Sequence, residues 1–439
     1  MKLVIRGGTL VTMDSERRVV RGDLIIQGGH IVEVGDAAIV DRATEILDAT
    51  DCIVLPGLVQ AHTHLCQTLC RGRADDLPLL EWLRERIWPH ESALDEKSMR
   101  ASARLAAAEL LLGGTTAILD MGSVHETDAL IDAIGHTGLR AVVGKAMMDM
   151  GDGVPRRLRE ETARSLDESD ELAARYTGAF DGRIRYAYAP RFVLSCTEGL
   201  LSEVAARVKQ GLRAHTHASE QAAEIEIVRR ERGSDNIAYF SKLGLDGPGV
   251  TLAHCVHATN DEQALLASRG THVTHCPSSN LKLGSGIAPI AEMLERGINV
   301  ALGFDGAPCN NTMDGFAEMR LAALLQKGLK GPTVLPATQA LELATLSGAR
   351  ALGLEREIGS LEVGKRADVI IVDPRKVHST PNFDCASTLV YSIQRHDVRD
   401  VLVDGRVLVR NGALTELTGL VVEEVISVAE TEARRIVGW

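Results

Sequence analysis

Eight short apolar runs recur between residues 54 and 306, at Val54–His64, Thr115–Met121, Leu139–Met147, Ile184–Pro190, Leu212–His217, Val250–Cys255, Thr271–Pro277 and Asn299–Gly306. Runs of this length bounded by turn residues fit buried strands, and helical texture fills the gaps between them. The segment Asp95–Leu112 shows that texture best: it is rich in Ala, Leu, Glu and Arg and stops at Gly113-Gly114 before a β-branched strand. Strand and helix alternating in this way predict the α/β class, as a (β/α)8 TIM barrel. The two ends of the chain have a different grain. Leu3-Val4-Ile5, Gly22–Ile26 and His30–Val34, broken by Gly7-Gly8 and Gly28-Gly29, read as small strands, and similar segments return at Gly359–Lys365, Ala367–Val372 and Val401–Val407. Both termini are therefore expected to share one small β-sandwich. The domain reading is 1–56 for its N-terminal part, 57–358 for the barrel, and 359–439 for its C-terminal part with a surface helix over Val421–Val437.

Composition narrows the function. The chain has 439 residues, of which 45% are apolar and 25% charged, as in ordinary globular proteins. A net charge of −12 with no Lys/Arg run argues against nucleic-acid and anionic-membrane partners and leaves small-molecule chemistry. With no apolar stretch of membrane-spanning length and no secretory h-region, the cytoplasm is the expected location. The eight cysteines are scattered, without a C-x-x-C pair, and read as free buried thiols. The expected partners are a small-molecule substrate and further copies of the chain, as a dimer or tetramer.

Five of the apolar runs end in His or Asp: His62 and His64, His217, His254, His275 and Asp305. In a parallel barrel the strand ends converge on one rim, where such ligands can meet around one ion. Residues i and i+2 of a strand share a face, so His62-Thr63-His64 presents two imidazoles side by side. His215-Thr216-His217 repeats the spacing, with Glu220 three residues on. Of this pair His217 is the candidate ligand, whereas His215 lies deeper and reads as a core histidine. Asp305, in Gly303-Phe304-Asp305-Gly306, alone would read as a turn aspartate; beside three rim histidines it reads as a ligand. Three imidazoles and a carboxylate suit one divalent ion, Zn²⁺ or alternatively Fe²⁺, with a position left for water. Water activated in this way attacks an electrophilic carbon without a nucleophilic Ser or Cys, and Glu220 and His254 are the natural proton carriers.

The segments Leu55-Pro56-Gly57-Leu58-Val59-Gln60-Ala61-His62-Thr63-His64, His217-Ala218-Ser219-Glu220, Ala253-His254-Cys255-Val256-His257, Cys276 to Gly286, and Asp305-Gly306 with Asn310-Asn311 resemble the amidohydrolase superfamily over nearly the whole chain. Within it, the likeness is greatest to mononuclear-metal deaminases of aromatic amines, especially those acting on S-adenosylhomocysteine, methylthioadenosine and 5'-deoxyadenosine. The resemblance implies metal ligands His62, His64, His217 and Asp305. It implies that Glu220 protonates a ring nitrogen, that His254 stabilises the oxyanion, and that Asp305 relays a proton towards departing ammonia. Binuclear relatives carry a carboxylated lysine on the fourth strand. Ile184–Pro190 has none, which fits one metal.

Five further positions bear on the substrate. Trp82 and Glu91 resemble the segment after the first strand of adenosine-type deaminases, in which the Glu accepts ribose hydroxyls; the alternative is a packed Trp82 and a Glu91 that caps a helix starting near Leu94. Arg191, in Pro190-Arg191-Phe192, stands where homocysteine-nucleoside enzymes carry a histidine, and resembles guanine deaminases, whose Arg donates to the purine carbonyl. Lys145 stands where some relatives hold a substrate carboxylate with an arginine, and Arg157 loosely matches their second arginine, with an exposed loop arginine as the alternative. Hydrolytic deamination of an adenine nucleoside is the leading expectation. Deamination of guanine, a pterin, cytosine or an s-triazine is the runner-up, and a metal-free binding protein the remote third.

Overall fold

The computed structural model describes residues 2–35 and 44–437; residues 36–43 of the expected N-terminal β segment, with Met1, Gly438 and Trp439, lie outside the described residues. Every apolar run yields a barrel strand: Leu58–Thr63, Thr115–Met121, Arg140–Gly144, Ile184–Tyr186, Ala214–Ala218, Val250–His254, His272–His275 and Val300–Leu302. Strands one to four and five to eight form two parallel ribbons. Parallel bridges Tyr188–Ala214 and Thr63–Asp305 close the two seams. Strands enclosed by helices outside and packed side chains inside are buried on both faces, which is why Thr115–Met121 has no exposed residue.

The run Val54–His64, expected as one strand, divides at Gly57. Ile53–Pro56 joins the terminal sheet, antiparallel to Val369–Val372, and Leu58–Thr63 opens the barrel. A side chain at position 57 would meet the Thr116 hydroxyl at 2.0 Å, so the crossing between sheets needs glycine. Strand three is interrupted in a similar way at Lys145, and Ala146–Met147 resumes in pairing with Ala189–Pro190.

The termini do build one β domain. Its strands, including Lys2–Val11, Val19–Gln27, Val369–Val372 and Val398–Val403, are hydrogen-bonded into a single nine-stranded sheet with a core of its own around Ile5, Leu24, Val54, Ile371 and Leu402. The helix expected at Asp95–Leu112 spans Glu96–Leu112, and Asp95 and Ser98 close a capping box at its start. The terminal helix, Val422–Val437, lies along it, with Val425 packed beside Ala107 and Ala108 and Ala429 beside Ala101. Among the described residues no helix is long and apolar enough to cross a membrane.

Candidate metal centre

The rim is assembled by close contact between strands one and eight. The Asp305 amide donates to the His62 carbonyl at 3.1 Å. A side chain on Gly303 would come within 2.8 Å of the His62 Cβ, so only glycine permits this approach. Ser219, His254 and Asp305 all have left-handed backbones, with φ of 49°, 73° and 65°. Such angles cost free energy in residues other than glycine, and here they turn functional side chains inward at strand ends.

One ligand atom from each of His62, His64, His217 and Asp305 lies within 4.8 Å of the others. His64 Nδ1 meets the Met121 carbonyl and His217 Nδ1 meets the Arg191 carbonyl, both at 2.7 Å. A carbonyl only accepts, so both Nδ1 atoms carry the proton and each neutral ring turns a bare lone pair outward at Nε2. Those two Nε2 atoms face each other at 3.2 Å. Two lone pairs at that distance repel; a cation between them removes the conflict. His62 Nε2 and His64 Nε2 each lie 3.3 Å from Asp305 Oδ1, and His62 Nε2 is buried without a hydrogen-bond partner. Burial and the neighbouring imidazoles push His64 down to about 3 and His217 well below the ordinary range, and burial also lowers His62. The neutral rings are the ligating form. Burial alone would raise Asp305, but the close approach of the His62 imidazole, with His254 and His64, holds it well below the usual carboxylate range. The donor set fits a divalent ion.

Neighbours orient these groups. His62 Nδ1 lies 2.8 Å from His215 Nε2, so the histidine read as a core residue also supports a ligand. Ser279 donates to Asp305 Oδ2 at 2.6 Å, and Asn280 Oδ1 lies 2.8 Å from His254 Nδ1. Both come from the short helix Pro277–Lys282 that follows strand seven. Their motif was visible in the sequence; their roles were not. His254 Nε2 lies 3.6 Å from Glu220 Oε2 and 3.8 Å from Asp305 Oδ2. Burial first, then the Asp305 and Glu224 carboxylates, raises Glu220 well above the usual range. His275, the other strand-end histidine, is buried with neither ring nitrogen bonded and is not part of the four-residue group.

A narrow cleft opens on this group. Leu79, Trp82, Leu83 and Phe192 form its apolar wall, and Gln67, Arg191, Glu220 and Asp305 its polar one. The Trp82 indole N–H and Gln67 Oε1 are buried without protein partners. Glu91 does not cap a helix at Leu94; that helix is capped by Asp95. Glu91 stands behind the cleft lining, where Arg191 forks onto its two oxygens at 2.7 and 3.1 Å and Gln67 donates to Oε1 at 2.8 Å. Lys145 is likewise not a cleft residue. Its ammonium is fully buried against the Glu160 carboxylate, the counter-charge that a buried cation requires. Arg157 is exposed and donates to the Ser92 and Leu94 carbonyls at 2.8 and 2.9 Å, latching the end of the helix Trp88–Ala93. The sequence reading missed Gln67, which the run Cys66-Gln67-Thr68 does not mark.

Comparison with known proteins agrees with this geometry. Residues 53–408 match the model of the amidohydrolase family. The chain is 42% identical over 421 residues to a 5-methylthioadenosine/S-adenosylhomocysteine deaminase of Moorella thermoacetica, covering 95% of this chain and 96% of the relative. It is 41% identical over 420 residues to a 5'-deoxyadenosine deaminase of Methanothermobacter thermautotrophicus, covering 95% of each. The solved structure of a zinc-bound adenosine deaminase from Xanthomonas campestris superimposes with a TM-score of 0.93 at 33% identity, over 100% of this chain and 99% of that one. The chain belongs to the amidohydrolase family.

Proposed function

We propose that this protein hydrolytically deaminates an adenine nucleoside of the 5'-deoxyadenosine, methylthioadenosine, adenosine or S-adenosylhomocysteine type, giving the inosine analogue and ammonia. The observation that carries this reading is the convergence of the His62, His64 and His217 ring nitrogens and the Asp305 carboxylate on one point beside an aromatic-walled cleft, with His62 Nε2, His254 Nε2 and Glu220 Oε1 unpaired within the protein. His62, His64, His217 and Asp305 would hold one divalent ion, and the relative with bound zinc supports Zn²⁺. When bound, such an ion supplies Lewis acidity and makes water a nucleophile at neutral pH.

The chain's own groups do the rest. Glu220, whose burial beside the Asp305 and Glu224 carboxylates favours its protonated form, donates to the ring nitrogen beside the amino-bearing carbon and so makes that carbon electrophilic. His254, held by Asn280, stands within reach of both Glu220 and Asp305 and stabilises negative charge developing on the attacked carbon's oxygen. Asp305, oriented by Ser279, takes the proton that must reach departing ammonia. Leu79, Trp82 and Phe192 receive the flat ring and exclude water, while the unpaired Trp82 N–H offers a donor to a substrate acceptor. The eight free cysteines support a cytoplasmic location, and exposed Val422 and Ile426 on the terminal helix support a homo-oligomer. The catalytic unit is taken as 57–358, with 1–56 and 359–439 as its companion.

One observation favours a second reading. Arg191 lines the cleft with its charge balanced by Glu91, and its remaining N–H groups suit a ring carbonyl such as that of guanine. Ammonia release measured across adenosine, 5'-deoxyadenosine, methylthioadenosine, S-adenosylhomocysteine, guanine, cytosine and melamine separates the two. The nucleosides are expected to lead, and guanine outrunning all of them overturns the nucleoside assignment.

A further inference from the structure

Away from the rim, the segments Val377–Ser379 and Arg395–Asp397 bring together three side chains that the reaction does not use: His378, His396 and Asp397. One ligand atom from each lies within 4.8 Å of the other two. The two imidazole side chains are 33% and 65% exposed, whereas the Asp397 carboxylate is fully buried between them. Asp397 Oδ2 is satisfied, accepting the Gln394 amide at 2.9 Å and His378 Nε2 at 2.8 Å. Oδ1 is sealed from solvent and has no hydrogen-bond partner. A buried carboxylate oxygen left in that state is costly and calls for a ligand.

His396 Nε2 lies 3.7 Å from Oδ1. That is too long for a hydrogen bond, yet close to the ~3.4 Å that separates two ligands of a tetrahedral ion with ligand bonds of about 2.0–2.1 Å. We propose that His378, His396 and Asp397 form a second divalent-metal site, distinct from the barrel rim, that takes a borderline transition ion such as Zn²⁺, Co²⁺ or Ni²⁺. Two imidazoles and one carboxylate oxygen select such ions over Mg²⁺ and Ca²⁺, which prefer shells of oxygen. Ligation by His378 Nε2 requires its proton to sit on Nδ1; the Gln394 amide continues to hold Asp397 Oδ2. An ion here fastens the segment after strand Val369–Val372 to the entry of strand Val398–Val403, and neither segment borders the catalytic cleft.

The test uses the protein as purified, with its tightly held ion. After desalting, it is dialysed against increasing Zn²⁺ and the bound metal is counted by elemental analysis, in parallel with thermal midpoints. A second equivalent, weaker than the first, is expected, and with it a Zn²⁺-dependent rise in the midpoint. His396→Ala and His378→Ala should each weaken the second equivalent by about tenfold or more while leaving the first equivalent and turnover unchanged. His396 is the more exposed of the two, so its variant tests the site without disturbing the fold. A wild-type protein that binds only one equivalent, or a second equivalent that survives both substitutions, overturns the proposal.

Discussion

At the floor of the barrel, where strand three begins, Arg140 places its guanidinium between Asp368 and Asp404 of the terminal sheet. Nε and Nη2 reach Asp368 at 2.7 and 3.0 Å, Nη2 reaches Asp404 at 2.6 Å, and the Asp404 amide donates to Asp368 at 2.9 Å. At the rim, where the strands end, His62 Nε2, His254 Nε2, Glu220 Oε1, Gln67 Oε1 and Trp82 Nε1 are equally buried and have no partner. Burying charge is expensive in both places. The Arg140 cluster completes itself within the protein and locks the barrel to the segments that flank the terminal strands. The rim is left incomplete, and its unpaired atoms are the ones that an ion, a water and a flat substrate can pair. Stability work and chemical work are thereby separated along the barrel axis.

The difference is sharpest in the pair of substitutions with the largest expected effects. Glu220→Gln keeps the shape of the rim and removes its proton, so kcat should fall by about 10²–10⁴-fold with metal content and thermal midpoint unchanged. The pH profile carries a second signature. With Glu220 as the proposed proton donor, wild-type turnover should decline as pH rises through its raised pKa; the amide cannot ionise, so the residual activity should lose that alkaline limb. A variant with normal turnover removes Glu220 from the proton route. The floor should respond in the opposite sense. Arg140→Met leaves Asp368 buried without its cation and Asp404 with only the longer contacts to Arg366 and Arg183, at a cost of about 3–5 kcal/mol in chemical denaturation, while kcat per folded molecule should stay at the wild-type value. Loss of turnover without loss of stability would erase the division of labour.

His215 tests how far the rim's incompleteness depends on support from below. Its Nε2 accepts from His62 Nδ1 if His62 ligates through Nε2, which fixes the tautomer of that ligand. His215→Leu should weaken metal binding by about 10–100-fold, measured by competition with a chelator, and His215→Gln, which retains an acceptor, should recover part of it. Equal affinities in all three proteins would make His215 a packing residue only.

The grouping of His62, His64, His217 and Asp305 was legible in the sequence because strand parity and strand ends are local properties: His62 and His64 share a face, and Asp305 closes a run bracketed by glycines. What it could not carry depends on register between distant strands. The His62–His215 contact spans 153 residues and the Glu91–Arg191 pair 100, so no local pattern shows that Glu91 is occupied or that His215 backs a ligand. Lys145 is a related case: the run Leu139–Met147 reads as one strand, but it breaks at this residue and the side chain turns to Glu160. The run Val54–His64 looked continuous because apolarity continues across Gly57, although the chain changes sheets at that residue.

Arg157 gives the smallest expected effect and separates position in sequence from position in space. If it followed the resemblance, it would contact a substrate carboxylate, and Arg157→Ala would raise KM selectively for S-adenosylhomocysteine, the carboxylate-bearing nucleoside of the panel. The structure instead spends its guanidinium on the Ser92 and Leu94 carbonyls, at an exposed site where water can replace it. The substitution should therefore cost about 1 kcal/mol or less of stability, and it should leave kcat/KM within about twofold for charged and neutral nucleosides alike. The comparison between these two substrates is the decisive measurement, because a loosened Trp88–Ala93 helix would disturb both equally through Trp82 and the cleft wall. A KM increase confined to S-adenosylhomocysteine would mean that the segment carrying Arg157 closes over the cleft when substrate is present.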